Sequence, residues 1–122
     1  MSKQELFFEQ EIGGTRIEVL KVYDKAYARE AFVEMDEAAL EHLWQALEPE
    51  KNYDPAGLPG RDDPTRADFL WDELLETARE DYDQFSFFVV TEIMNNRMVT
   101  LYVSSDWPSA EAFAKHRIRD KI

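Results

Sequence analysis

The chain has 122 residues, of which 44% are apolar and 13% aromatic, so it suits one folded domain, 1–122, and is too hydrophobic to be disordered. Its 26 acids and 14 bases give a formal net charge of −12, which argues against a direct partner that is nucleic acid or an anionic membrane. The absence of cysteine excludes disulfides, zinc–thiolate sites and cysteine nucleophiles. Without an apolar run of roughly 20 residues or a signal-peptide pattern, we expect a cytoplasmic protein.

The first predicted element is a β-hairpin. Apolar-rich runs at 4–12 and 15–23 flank Gly13 and Gly14, which supply the positive φ of a tight turn. A two-residue turn predicts the cross-strand pairs Phe8–Val19, Phe7–Leu20 and Glu9–Glu18. Because the last pair opposes two like charges, a bulge or a longer turn stays an alternative.

A third strand is predicted at 29–35, because Asp36 then becomes a good helix N-cap. The helix that follows carries apolar residues at positions i, i+3, i+4 and i+7. These residues are Leu40, Leu43, Trp44 and Leu47.

A long connection separates this helix from the next. Residues 49–63 hold three of the five prolines and two of the four glycines, and predict a loop of a length that is usually functional or mobile. Asp63 and Pro64 then predict the start of a second helix, which runs to about Tyr82. Its inward stripe comprises Ala67, Leu70, Trp71, Leu74, Leu75, Ala78 and Tyr82.

Two strands, 85–93 and 98–104, are predicted to pair through a turn at Asn95 and Asn96, since Asn tolerates positive φ. The expected pairs include Val90–Leu101 and Phe88–Val103. A last helix begins after Asp106. The sequence therefore predicts an α+β domain with the order β-β-β-α-α-β-β-α, in which helices pack mainly on one face of an antiparallel sheet of about five strands.

The negative charge is concentrated in the middle of the chain. Residues 30–83 contain 17 acids and four bases, a local charge of −13. On the second helix, acids fall opposite the apolar stripe and surround Phe69. An aromatic ring among carboxylates suits a surface that binds a basic partner. The alternative is that Phe69 is covered by the loop, through Tyr53 or Leu58, and that the acids form a solvated face.

No known catalytic or metal-binding motif is present. Of the two histidines, His42 has alanines at i±4 and so no partner for a metal pair, and His116 is most simply a charge at a helix end; the serines lack a nucleophile motif. Phosphate-binding glycine loops and the zinc-protease signature are missing too. We expect no catalytic residue, no metal and no cofactor.

The leading hypothesis is a non-enzymatic, acidic interaction protein. Such a protein would act as an inhibitor, either of the immunity or antitoxin type or as a mimic of nucleic acid, and its partner would be a basic protein such as a nuclease-like or nucleic-acid-binding one. The expected contact residues are Phe69, Asp72, Glu73, Glu76 and Glu80, supported by Glu37, Glu41, Glu48 and Asp62.

The alternative hypothesis is a small ligand-binding domain or enzyme. Its pocket would lie between the sheet and the helices under the 49–63 loop and would be lined by Tyr53, His42 and Asp62. A homodimer that hides the second apolar face of the 85–104 hairpin is compatible with either hypothesis.

Overall fold

The computed structural model describes residues 4–82 and 84–121. Its strands are β1 (Gln4–Ile12), β2 (Thr15–Val22), β3 (Arg79–Asp81), β4 (Gln84–Phe85), β5 (Phe87–Met94) and β6 (Arg97–Ser104). Its helices are α1 (Lys25–Val33), α2 (Glu37–Leu47), α3 (Arg66–Ala78) and α4 (Trp107–Arg119), with 3₁₀ turns at Pro49–Lys51 and Pro55–Gly57. The predicted domain also includes residues 1–3, 83 and 122, which lie outside the described residues.

The main sheet has four antiparallel strands in the order β1-β2-β5-β6, and β3 and β4 form a separate two-stranded sheet. The helices pack on the main sheet around a core of buried apolar side chains. The predicted α+β class is therefore confirmed. The main sheet has four strands rather than five, because the segment predicted as the third strand is helical.

Residues 29–35, predicted as that strand, belong mostly to α1. Ala28 and Phe32 lie one helical turn apart and are both buried, and Asp24 caps the helix by accepting a hydrogen bond from the Ala26 amide at 2.9 Å. The strand prediction was wrong because the buried positions follow the helical period. The predicted cap of α2 is confirmed, since Asp36 accepts from the Ala39 amide at 2.8 Å.

Both predicted hairpin turns are present. Gly13 and Gly14 have φ values of 54° and 84°, and Asn95 and Asn96 have values of 53° and 65°. These left-handed conformations are the ones that a two-residue hairpin turn of type I′ requires. Because β2 pairs with β5 in antiparallel fashion, with Thr15 opposite Met94, the two turns lie at the same end of the sheet.

Each hairpin contains an irregularity that shifts its predicted register by one residue. In β1, Phe8 pairs with Val19 as predicted, but Leu6 takes the place of Phe7 opposite Leu20. In the second hairpin, the shift falls between Val90 and Thr91. The observed pairs are Val90–Tyr102 and Phe88–Ser104 instead of Val90–Leu101 and Phe88–Val103.

Helices cover β5 from both sides. Phe87 and Phe88 are adjacent in the strand, so they point to opposite faces of the sheet, and both are buried. Trp71 of α3 stacks on Phe87 with ring centroids 6.0 Å apart, whereas Trp107 of α4 lies 6.1 Å from Phe88. The helices are therefore divided between two faces, where the sequence predicted packing mainly on one.

The second predicted helix is shorter at both ends than expected. It begins at Arg66 rather than Pro64, and it ends at Ala78 because the next residues pair as β3 with β4. Tyr82, predicted to face inward, is 86% exposed after β3. Within the described ranges, no helix combines the length and apolar character needed to cross a bilayer.

Candidate partner-binding surface

The outer side of α3 is a row of carboxylates. Its inner side is fixed by the buried residues Leu70 and Leu74, so the residues half a turn away must face solvent. The exposed residues Asp68, Asp72 and Glu76 repeat every four positions and therefore lie along one line on the helix surface. We call these three residues the α3 acidic ridge.

The ridge is poorly compensated by positive charge. Asp68 forms an ion pair with Arg29 of α1, with 3.6 Å between Oδ1 and the guanidinium. Asp72 and Glu76 make no ion pair with any residue in the described part of the chain. Like charges four residues apart on a helix destabilise it by about 0.2–0.5 kcal/mol. The fold thus tolerates a repulsive arrangement at this surface.

Phe69 is half-buried beneath the loop rather than exposed among the acids. The edge of Tyr53 packs on its ring with centroids 5.3 Å apart, and Trp44 lies 5.8 Å away on another side. The Tyr53 hydroxyl donates a hydrogen bond to Glu73. Of the two interpretations of Phe69, the one observed is cover by Tyr53.

Further contacts of Trp44 and Glu41 fasten the start of the loop and the start of α3 to α2. The indole Nε1 of Trp44 donates to Glu50 at 2.7 Å. The guanidinium of Arg66 lies 4.3 Å from the centroid of the Trp44 ring and donates to Glu41 at 3.0 Å. The aromatic cluster of Trp44, Tyr53 and Phe69 therefore holds the connection between α2 and α3 in place.

The supporting acids do not lie on α3: Glu37, Glu41 and Glu48 belong to α2 or its C-terminal cap, and Asp62 lies in the loop. Glu41 is neutralised by two cations, Arg66 at 3.0 Å and Arg61 at 3.5 Å. Glu48 ends α2 in a left-handed conformation and pairs with Lys51 at 2.9 Å. Three further predicted contact residues are exposed: Glu37 on α2 together with Glu41, Asp62 in the loop and Glu80 on β3.

An open groove of about 480 Å³ runs along α2. Its lining comprises Glu37, Ala38, Glu41, His42, Gln45 and Arg61. His42 packs against Tyr102 and Phe113, with ring centroids 5.0 and 5.4 Å away. Tyr53 lies elsewhere, over Phe69, so the structure does not bring together the Tyr53, His42 and Asp62 set of the pocket hypothesis.

Three groups near this surface have shifted pKa values. Partial burial lowers the pKa of His42, against an opposing hydrogen bond to the Ser109 backbone. The hydrogen bond to Glu73 raises the pKa of the Tyr53 hydroxyl. Hydrogen bonds from the Thr65 amide and hydroxyl lower the pKa of Asp63, which accepts them at 2.9 and 2.7 Å. Each shift is explained by a contact within the fold.

The sequence interpretation did not include Tyr82 in the surface. Its side chain is 86% exposed and follows Glu80 and Asp81 directly, so it offers an aromatic ring beside carboxylates. No local signal marked this exposure, because Tyr82 follows Ala78 at the four-residue spacing of the apolar stripe. Only the pairing of β3 with β4 removes Tyr82 from α3.

The chain has no match among the protein-family models, the curated proteins or the solved structures with which it was compared. Among the residues that the structure describes, no group of three or more histidine, aspartate or glutamate side chains is arranged to hold a metal ion.

Proposed function

We propose that this protein is a non-enzymatic acidic inhibitor that binds a basic protein surface through the face built on α3. The observation that carries this proposal is the α3 acidic ridge, in which Asp72 and Glu76 are exposed and make no ion pair with the described residues. A binding partner that supplies cations to the ridge would relieve a repulsion that the free protein tolerates.

The charges of the region support this assignment. The two cations that lie between α2 and α3 along the chain, Lys51 and Arg61, pair with acids of α2 or its C-terminal cap, and so does Arg66, the first residue of α3. None of them pairs with Asp72 or Glu76 of the ridge. Tyr82 and Tyr53, which are 86% and 44% exposed, would supply the aromatic contact area first expected of Phe69.

The partner would present a basic cleft of the kind that handles nucleic acid. An acidic face competes for such a cleft by matching its charge, and long-range attraction accelerates the association. An immunity or antitoxin protein against a nuclease-like effector, or a nucleic-acid mimic, fits this description. A cysteine-free sequence suits a complex formed in the cytoplasm.

The test is a pair of charge-matched variants. Asp72→Asn/Glu76→Gln removes two charges from the ridge, and Glu9→Gln/Glu11→Gln removes two exposed charges from β1, on a different element. Each is used with the wild type to capture partners from a lysate of the source organism at low and near-molar salt. The rate of association is then measured with the recovered protein.

We expect a basic protein that is retained by the wild type and by the β1 variant, and whose association with the ridge variant slows by about tenfold. Activity of the recovered protein should fall when the wild type is added. Equal association rates for the two variants, or no basic protein captured at low salt, would show that the ridge is only a solvated face.

A further inference from the structure

The two edges of the main sheet differ in how they are protected against pairing with another strand. Exposed edge strands usually carry charges or bulges that prevent such pairing. β1 carries Glu5, Glu9 and Glu11 and has an irregularity at Phe7. β6 also has an irregularity, at Leu101, but it carries only one charged residue, Arg97, along its whole length of Arg97–Ser104. The β6 edge therefore lacks the usual charge protection.

Only the second half of β6 is covered by the rest of the fold. The Val103 amide points away from β5 and contacts the Met35 sulfur at 3.2 Å, so the chain after α1 lies against the edge there. In the first half, Met98 and Val99 are 58% and 53% exposed. The exposed Met94 lies next to them, because it pairs with Arg97 across the hairpin.

We propose that residues 97–101 of β6 pair in antiparallel fashion with the same residues of a second copy, which makes the protein a weak homodimer with a continuous eight-stranded sheet. A two-fold axis at Val99 places Val99 opposite itself, Met98 opposite Thr100 and Arg97 opposite Leu101. The edge is self-complementary in this arrangement, as a two-fold interface requires.

Charge argues for a second copy as the occupant. Two molecules that each carry −12 must meet where acids are absent, and residues 93–105 contain none. If two copies paired through β1 instead, about a two-fold axis at Phe8, Glu5 of one copy would lie opposite Glu11 of the other. Such a like-charge pair destabilises a sheet. The β6 edge therefore permits self-association where the β1 edge opposes it.

The expected dimer is weak and salt-dependent. Few residues on each side take part, so the buried area falls at the low end for specific interfaces and the dissociation constant should be about micromolar or higher. Salt screens the repulsion between two acidic molecules and should strengthen the dimer. The proposal uses a different surface from the α3 acidic ridge and holds whether or not the proposed function is correct.

The experiment is sedimentation equilibrium over a range of concentrations, at low and at about 0.5 M salt. The test variant is Val99→Lys, and the control is Leu6→Lys, whose side chain on β1 is 54% exposed against 53% for Val99. Circular dichroism checks that each variant is folded. Hydrogen exchange of the wild type at two concentrations supplies a readout that needs no variant.

We expect a monomer–dimer equilibrium that Val99→Lys shifts towards monomer by at least tenfold and Leu6→Lys leaves within twofold. Amide protection in residues 97–101 should rise with protein concentration. A wild type that stays monomeric at about millimolar concentration, or a dimer weakened equally by both lysines, would overturn the proposal, as would protection that rises at β1 instead.

Discussion

Lys121 Nζ lies 2.6 Å from Glu92 Oε1, and this contact joins the chain just after α4 to β5. Arg117 reaches the other oxygen of the same carboxylate at 2.9 Å. The Glu92 side chain is only 7% exposed, so its charge is removed from water and depends on these two cations. The pair of contacts fixes α4 against the sheet.

Glu92→Gln should lower the unfolding free energy by about 1–2 kcal/mol at neutral pH. In the variant, Arg117 and Lys121 lose their charged acceptor, and hydration of the two cations compensates for that loss only in part. Urea unfolding followed by circular dichroism measures the change. The control is Glu111→Gln, which removes an exposed pair with Lys115 on the same helix and should cost no more than about 0.5 kcal/mol. An equal loss of unfolding free energy in the two variants would show that the burial of Glu92 does not strengthen its ion pairs.

The effect of Glu92 should disappear in acid. Burial raises its pKa, but the hydrogen bonds from Lys121 and Arg117 together outweigh burial and leave the pKa below the ordinary 4.5. A lowered folded pKa means that the stabilisation is present above pH 4.5 and is lost as the pH falls through the folded value. The difference in unfolding free energy between wild type and Glu92→Gln should therefore be constant from about pH 7 to 5 and then shrink. If this difference in unfolding free energy vanishes already by about pH 6, the pH dependence belongs to a group other than Glu92.

Tyr53→Ala should expose Phe69 and loosen the connection between α2 and α3. The variant loses the ring contact at 5.3 Å and the hydrogen bond to Glu73, so we expect a lower unfolding free energy than that of the wild type and, because Trp44 lies beside Phe69, a change in tryptophan fluorescence. Tyr82→Ala is the matched control, since that ring is 86% exposed and should change stability by no more than about 0.5 kcal/mol. If the two variants change the unfolding free energy equally, Tyr53 does not hold the connection between α2 and α3 in place.

The elements that follow from local signals were predictable from the sequence. Asp36 and Asp106 cap α2 and α4 by accepting from the amides at N3, and Asn95 and Asn96 adopt the positive φ expected of the turn. Each feature depends on a few neighbouring residues, so the sequence carries it directly. The two register shifts were not predictable in position, because a bulge is chosen by contacts between strands.

The surface was predictable in charge but not in detail. The concentration of acids appears in the composition of residues 30–83, and the four-residue spacing of Asp72 and Glu76 follows from helix geometry. The cover of Phe69 depends on how the loop folds back, and the exposure of Tyr82 depends on the pairing of β3 with β4. Both require tertiary contacts that no local pattern encodes.

His42 should titrate below its ordinary pKa of 6.5, because its ring is partly buried against Tyr102 and Phe113. Removing one of these rings with Phe113→Ala admits water and should move the pKa back towards 6.5. Imidazole NMR signals followed against pH measure both values, and a His42→Gln spectrum assigns the signal. Phe85→Ala serves as the control, because Phe85 packs on Phe87 and not on His42. Since the fold favours neutral His42, the stability it contributes is present above the unfolded pKa and is lost as the pH falls through the lower folded value. A pKa that Phe113→Ala leaves unchanged would show that this ring does not desolvate His42.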